Sequence, residues 1–158
     1  MGDIKLTFHK ASTETKLSIP LAQSSVKAGF PSPAQDYLNE EIDLNKLLIP
    51  HPEATFFVKI SGDSMMDAGI LDGDLAVVDK SQEASDGDFV IAYVDGDFTI
   101  KQFRMDAAGG RGWLVPWNKH YPRIEVQSGE DFRIWGVVTY VIHAIHGLKT
   151  KYHVQNNP

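Results

Sequence analysis

Between residues 55 and 145 the apolar positions recur in short runs of β-branched and aromatic residues, the composition of strands rather than helices. Thr55 to Ile60 (TFFVKI), Leu75 to Asp79 (LAVVD), Phe89 to Val94 (FVIAYV), Phe98 to Phe103 (FTIKQF) and Ile134 to Ile145 (IWGVVTYVIHAI) predict five strands. Asp-Gly pairs at 72–73, 86–87 and 95–96 punctuate these runs. The Asp95-Gly96 pair, with a strand pattern on each side, predicts a two-residue hairpin. Ala107 to Gly112 (AAGGRG) predicts a flexible loop. Ahead of the strands, a short helix is expected over Ser32 to Leu44, and a further turn or two over Asp43 to Ile49 (DLNKLLI) before Pro50 stops it. The pattern is mainly β: a compact Greek-key or multi-sheet core preceded by one or two short helices.

The character of the chain changes near residue 38. Residues 1–37 are polar and poorly periodic, and Pro20, Pro31 and Pro33 interrupt any helix there. They predict an extended arm, followed by a core over residues 38–146 and a tail over 147–158. Through Ala28, Lys5, Lys10, Lys16 and Lys27 oppose Asp3 and Glu14, so the arm carries +2 and the remainder −8 of the total −6. An arm of that charge can lie on the acidic body.

Composition narrows the function classes. A chain of 158 residues is long enough for one domain with a real core. It has no cysteine, which removes thiol nucleophiles, thiolate metal sites and disulfides and suits a reducing compartment. No apolar run approaches the roughly 18 residues needed to cross a bilayer, and the N-terminus has no secretory h-region. A cytoplasmic protein without a membrane association is expected. The net charge of −6 argues against a protein that mainly holds DNA, because duplex binding rests on cations at phosphates.

Among candidate chemistries, the three Asp-Gly-Asp triplets lack the donor series and closing Glu of a calcium loop, so they read as turns. His143 and His146 fall on opposite faces of a strand with no carboxylate motif, and titrating or solvent-facing roles are expected rather than metal binding. No metal or cofactor is called for. Ser64, within SGDSMMDAGILDGD, is more informative. The α/β-hydrolase elbow requires Gly at position 66, where Met66 stands. A Ser-His-Asp triad stays open, although none of the six His sits in a recognisable catalytic context; the other candidate is a Ser-Lys dyad, in which a neutral amine takes the serine proton. Two lysines follow Ser64 in strand-like surroundings, Lys80 beside a polar loop and Lys101 inside FTIKQF. Moving a lysine pKa from about 10.4 to about 7 costs about 4.6 kcal/mol against the charged form, which apolar burial can supply and an exposed loop cannot. Lys101 is therefore the better candidate. Taken singly, a strand lysine is ordinarily a solvent-facing charge, and a serine after Gly-Asp is ordinarily a turn residue.

Taken together these residues carry a resemblance. SGDSMMDAGILDGDLAVVD, VDGDFTIKQF and the 37-residue spacing from Ser64 to Lys101 resemble the LexA/UmuD family of self-cleaving peptidases. Residues 28–66, AGFPSPAQDYLNEEIDLNKLLIPHPEATFFVKISGDSM, are most similar to its UmuD branch, and the likeness runs on to about Ile145. The resemblance implies a LexA/UmuD-type peptidase fold, with Ser64 as nucleophile and Lys101 as general base. It also implies a scissile bond at Ala28-Gly29 in the chain's own arm. By the same analogy the backbone N–H groups of Asp63 and Ser64 form the oxyanion hole, and Met65 either lines the cleft or packs in the core. The family's implied setting is the bacterial SOS response, on a chromosome, plasmid or phage. There a RecA filament on single-stranded DNA stimulates cleavage, and the trimmed homodimer serves a UmuC-type translesion polymerase. The alternatives are a LexA- or phage-repressor-like regulator, and a binding module that keeps the fold without cutting.

Overall fold

A computed structural model describes residues 6–13, 18–21, 40–108, 110–127 and 131–146. Their strands are β1 (Thr7–Lys10), β2 (Ser18–Leu21), β3 (Glu40–Asp43), β4 (Thr55–Lys59), β5 (Leu75–Asp79), β6 (Phe89–Val94), β7 (Asp97–Met105), β8 (Gly112–Val115), β9 (Ile124–Val126) and β10 (Phe132–Ile142). Among the described residues one α-helix, α1, spans Leu44–Leu48. Eight strands form one antiparallel sheet in the order β1-β4-β5-β10-β6-β7-β8-β9, and β2 pairs with β3 in a separate two-stranded sheet. No helix among the described residues is long and apolar enough to cross a membrane.

Period-two alternation divides the buried side chains between two cores. Along β6, Ile91 enters a cluster with Val58, Ile60, Met65, Ile70, Ala76, Val78 and Ile100. Its neighbours Val90 and Ala92 enter a second cluster with Leu114, Val126 and Val137. A strand covered on both faces has no polar alternation, which is why LAVVD and FVIAYV read as continuous apolar runs.

β10 joins the two halves of the sheet. Its first residues, Phe132 to Val137, pair with β6, and Val137 to Ile142 pair with β5. The register shifts twice, between Ile134 and Gly136 and between Val138 and Tyr140. Such bulges bend a strand and increase its twist, letting one long strand serve both neighbours. Gly136 sits at the junction because a Cβ there would lie 2.6 Å from Val78 Cγ1.

All five predicted strands are present, with β5 and β6 at the predicted limits. The Asp95-Gly96 hairpin joins β6 to β7 with φ of 48° and 91°, the pair of positive values that a type I′ turn requires. The turn expected in DLNKLLI is α1, whose N-cap Asp43 accepts from the Asn45 N–H at 3.0 Å. The helix expected over Ser32 to Leu44 needs correction: residues 40–43 are β3, and residues 32–39 lie outside the described residues. Pairing with β2 overrides the weak helical preference of Glu40 to Asp43. The loop reading of Ala107 to Gly112 ends one residue early, since Gly112 opens β8. The strands β1, β2, β8 and β9 have only three or four residues each, too few for a periodic signal.

Gly136→Ala is expected to destabilise the fold by about 1–3 kcal/mol through overpacking against Val78. Gly110→Ala, whose added carbon meets nothing within 4 Å, is expected to leave the denaturant midpoint unchanged. Equilibrium unfolding of both variants checks the contrast.

Candidate active site

The loop between β4 and β5 is drawn closed at its neck. Ile60 N–H donates to the Asp74 carbonyl and Gly73 N–H to the Ile60 carbonyl, each at 2.8 Å. Inside the neck, Gly62 turns with φ of 99°, and its N–H donates to the Asp72 carboxylate at 2.9 Å. Met65 drops into the first core at 1% exposure, so its role is packing. A single 3-10 turn, Met66–Ala68, follows and ends at Gly69 in the left-handed region. A loop anchored by a buried Met65 holds the preceding residue, Ser64, at the edge of the core, where it is 3% exposed.

The β6–β7 hairpin brings Lys101 to the same place. Lys101 is also 3% exposed, and its Nζ lies 3.0 Å from Ser64 Oγ. The amine also donates to Thr99 Oγ1 at 2.8 Å and to the Ile100 carbonyl at 2.9 Å. Burial lowers the Lys101 pKa from its usual 10.5 to about 8. The three contacts are chemically unequal. The Ile100 carbonyl can only accept, and a neutral amine has two N–H groups and one lone pair. With Ile100 and Thr99 taking the two N–H groups, the lone pair is left facing the Ser64 hydroxyl. Thr99 lies two residues before Lys101, hence on its side of the strand, a periodicity from which the sequence could have nominated it.

A second segment clamps the loop from outside. Asn118, 5% exposed, donates from Nδ2 to the Asp63 carbonyl at 3.0 Å, and the Trp117 carbonyl accepts from Asp67 N–H at 2.9 Å. Tyr121 donates its hydroxyl to the Asp63 carboxylate, and that bond raises the tyrosine pKa. A trans peptide points its C=O and N–H in opposite directions. Holding the Asp63 carbonyl therefore fixes where the Ser64 N–H points. Neither the Asp63 nor the Ser64 N–H has a hydrogen-bond partner among the described residues. Neither Asn118 nor Tyr121 carries a local sequence signal; only the fold brings them to residue 63. An open cleft of about 440 Å³ is lined by the clamp residues Asn118 and Tyr121 with Asp67, Trp117, Lys119 and Arg123, but not by Ser64 or Lys101.

The remaining sequence candidates lie elsewhere. Lys80 stands over the Trp135 ring at 4.7 Å. His143, expected to titrate or face solvent, is half-buried and pairs through Nδ1 with the buried Asp74 carboxylate at the loop neck, while His146 is exposed. Ala28 and Gly29 lie outside the described residues.

Between pH about 8 and 10.5 the unfolded chain holds a proton on Lys101 that the folded chain has released, so stability rises with pH across that window. In an uncut Ser64→Ala background, Lys101→Met is expected to be more stable below pH 8 by roughly 3 kcal/mol. That advantage is expected to vanish by pH 10.5. Denaturant titrations of both chains at several pH values check the sign.

Comparison with known proteins gives the family of the chain. The family model described as Peptidase S24-like matches residues 20–139. The chain is 48% identical to protein SamA of Salmonella typhimurium over 124 residues, 78% of this chain and 84% of that one. It is 44% identical to protein ImpA of Escherichia coli over 130 residues, 82% and 87% of the two chains. The LexA repressor of Carboxydothermus hydrogenoformans is 41% identical over 121 residues, 77% of this chain but 58% of the repressor. With a mainly β core and a family match across most of its length, this chain belongs to the Peptidase S24-like family, the self-cleaving serine peptidases related to LexA and UmuD.

Proposed function

We propose that Ser64 is the nucleophile and Lys101 the general base of a reaction that cuts the chain's own Ala28-Gly29 bond. The observation that carries this reading is the buried contact of 3.0 Å between Lys101 Nζ and Ser64 Oγ, with the amine's pKa drawn toward neutrality. Ser64 Oγ attacks the Ala28 carbonyl carbon as its proton passes to Lys101 Nζ. The N–H groups of Asp63 and Ser64 receive the developing oxyanion. The C–N bond to Gly29 then breaks, its nitrogen taking the proton back from the Lys101 ammonium. Water, deprotonated in turn by Lys101, hydrolyses the Ala28 ester and frees Ser64.

The cut separates an arm, within residues 1–37, from a catalytic core over 38–146 with a tail over 147–158. Ala28 and Gly29 suit a narrow site because neither presents a bulky side chain at the bond. The relatives and the resemblance together support the wider assignment. Docking on a RecA filament on single-stranded DNA stimulates the cut during the SOS response. The product, a homodimer beginning at Gly29, serves a UmuC-type translesion polymerase in the bacterial cytoplasm.

Incubation at rising pH, or with RecA, an ATP analogue and single-stranded DNA, is expected to give one cut after Ala28, read by intact mass. Ser64→Ala and Lys101→Ala are each expected to abolish it; a cut elsewhere or an active Lys101→Ala chain contradicts the reading. The rate is expected to rise through pH about 8 and then level off, because the base acts once deprotonated. Thr99→Val removes an acceptor that favours the ammonium and orients the amine. It is expected to move the midpoint of that profile to lower pH and to lower the plateau by up to about 100-fold.

A further inference from the structure

The match to the family model begins at residue 20, so β1 lies outside it. Yet β1 is the outermost strand of the main sheet, and without it β4 would be the sheet edge. Its pairing is regular, Thr7 opposite Lys59, Phe8 opposite Val58, His9 opposite Phe57 and Lys10 opposite Phe56, and Ala11 N–H continues it to the Thr55 carbonyl at 3.1 Å. Leu6 and Phe8 pack on the first core. The Phe8 ring meets Phe98 and Trp135 edge-on, at centroid distances of 4.9 and 4.8 Å. Ala11 is buried as well. The body thus offers β1 two things at once: a row of backbone groups on β4 and an aromatic floor for one side chain.

We propose that this edge of β4, with its Phe98 and Trp135 floor, is a strand-docking site that keeps residues 1–28 bound to the body after the chain is cut. The inference rests on the proposed cut at Ala28-Gly29. That cut falls after both β1 and β2, so the severed fragment holds two strands paired to the body, β1 on β4 and β2 on β3. Seven residues, 11–17, join them. When one strand lets go, the other holds it close to its site, so the pair dissociates far more slowly than either alone. Charge acts in the same direction: the fragment carries +2 and the body −8 of the total −6. Cutting therefore severs the covalent link without baring β4. An open strand edge, which pairs readily with other chains, is bared only when the fragment leaves.

The test lets the chain cut itself at alkaline pH, returns it to neutral pH, and follows the fragment by native mass spectrometry and gel filtration. One fragment is expected to remain on each body, and Phe8→Ala is expected to speed its dissociation by about tenfold or more. A wild-type fragment that elutes free, or leaves as fast as the Phe8→Ala fragment, overturns the proposal. The docking can be separated from the cutting with a Ser64→Ala chain in which a site-specific protease sequence replaces residues 26–31. Nicked after folding, this chain retains its fragment if the docking site is real, even where self-cleavage after Ala28 fails. Release from that nicked chain overturns the docking site itself.

Discussion

Water is kept from the Lys101 amine, and a charge without water is costly. Everything around the site bears on that cost. Three oxygens meet the amine, one of them the hydroxyl it faces across 3.0 Å. Apolar neighbours on the same hairpin and loop, Ile100 and Met65, are almost wholly buried, so there is little solvent to stabilise an ammonium. The proton is held weakly enough to be lost near pH 8, and the neutral amine that results faces Ser64 Oγ. A lysine at the same strand position with a wet surface would keep its charge and serve only solubility.

Holding the amine and the hydroxyl in contact requires a fixed frame, which the sheet and the clamp supply. β10 spans both halves of the sheet through two bulges, with Gly136 allowing Val78 to close against it. The neck at Ile60, Gly73 and Asp74 closes the loop, and His143, one residue past β10, pairs with the Asp74 carboxylate. Asn118 and Tyr121 grip Asp63 from the opposite side. Ser64 is thus held between a core residue behind it and a hydrogen-bonded peptide in front. The arm belongs to the same construction, because β1 closes the edge of the sheet over Trp135.

The parts of this arrangement that were legible in the sequence are those in which local pattern and tertiary environment agree. LAVVD and FVIAYV are buried on both faces and long enough to declare themselves. Asp95-Gly96 names its own turn because the turn needs two positive φ values. Ser64 and Lys101 stood out together, through the family resemblance of their two segments and the spacing between them, and Thr99 was within reach of strand periodicity. The rest was hidden for a physical reason. Glu40 to Asp43 has no strand character of its own and is a strand because β2 lies beside it. Leu114 and Val126 look unremarkable in runs of four and three residues, and become core only through Val90, Ala92 and Val137. Asn118 acts 55 residues from its partner, a relation that no window along the chain contains.

The central claim is that Lys101 is uncharged at a pH where ordinary lysines are not. The most direct measurement is a nuclear magnetic resonance titration of the Lys101 side chain, in protein kept uncut by Ser64→Ala. The Cε and Nζ chemical shifts are expected to change with a midpoint near pH 8 while the exposed lysines remain protonated. A midpoint near 10.5, shared with the exposed lysines, would contradict the account, because the buried amine would then be a cation at neutral pH like any other lysine.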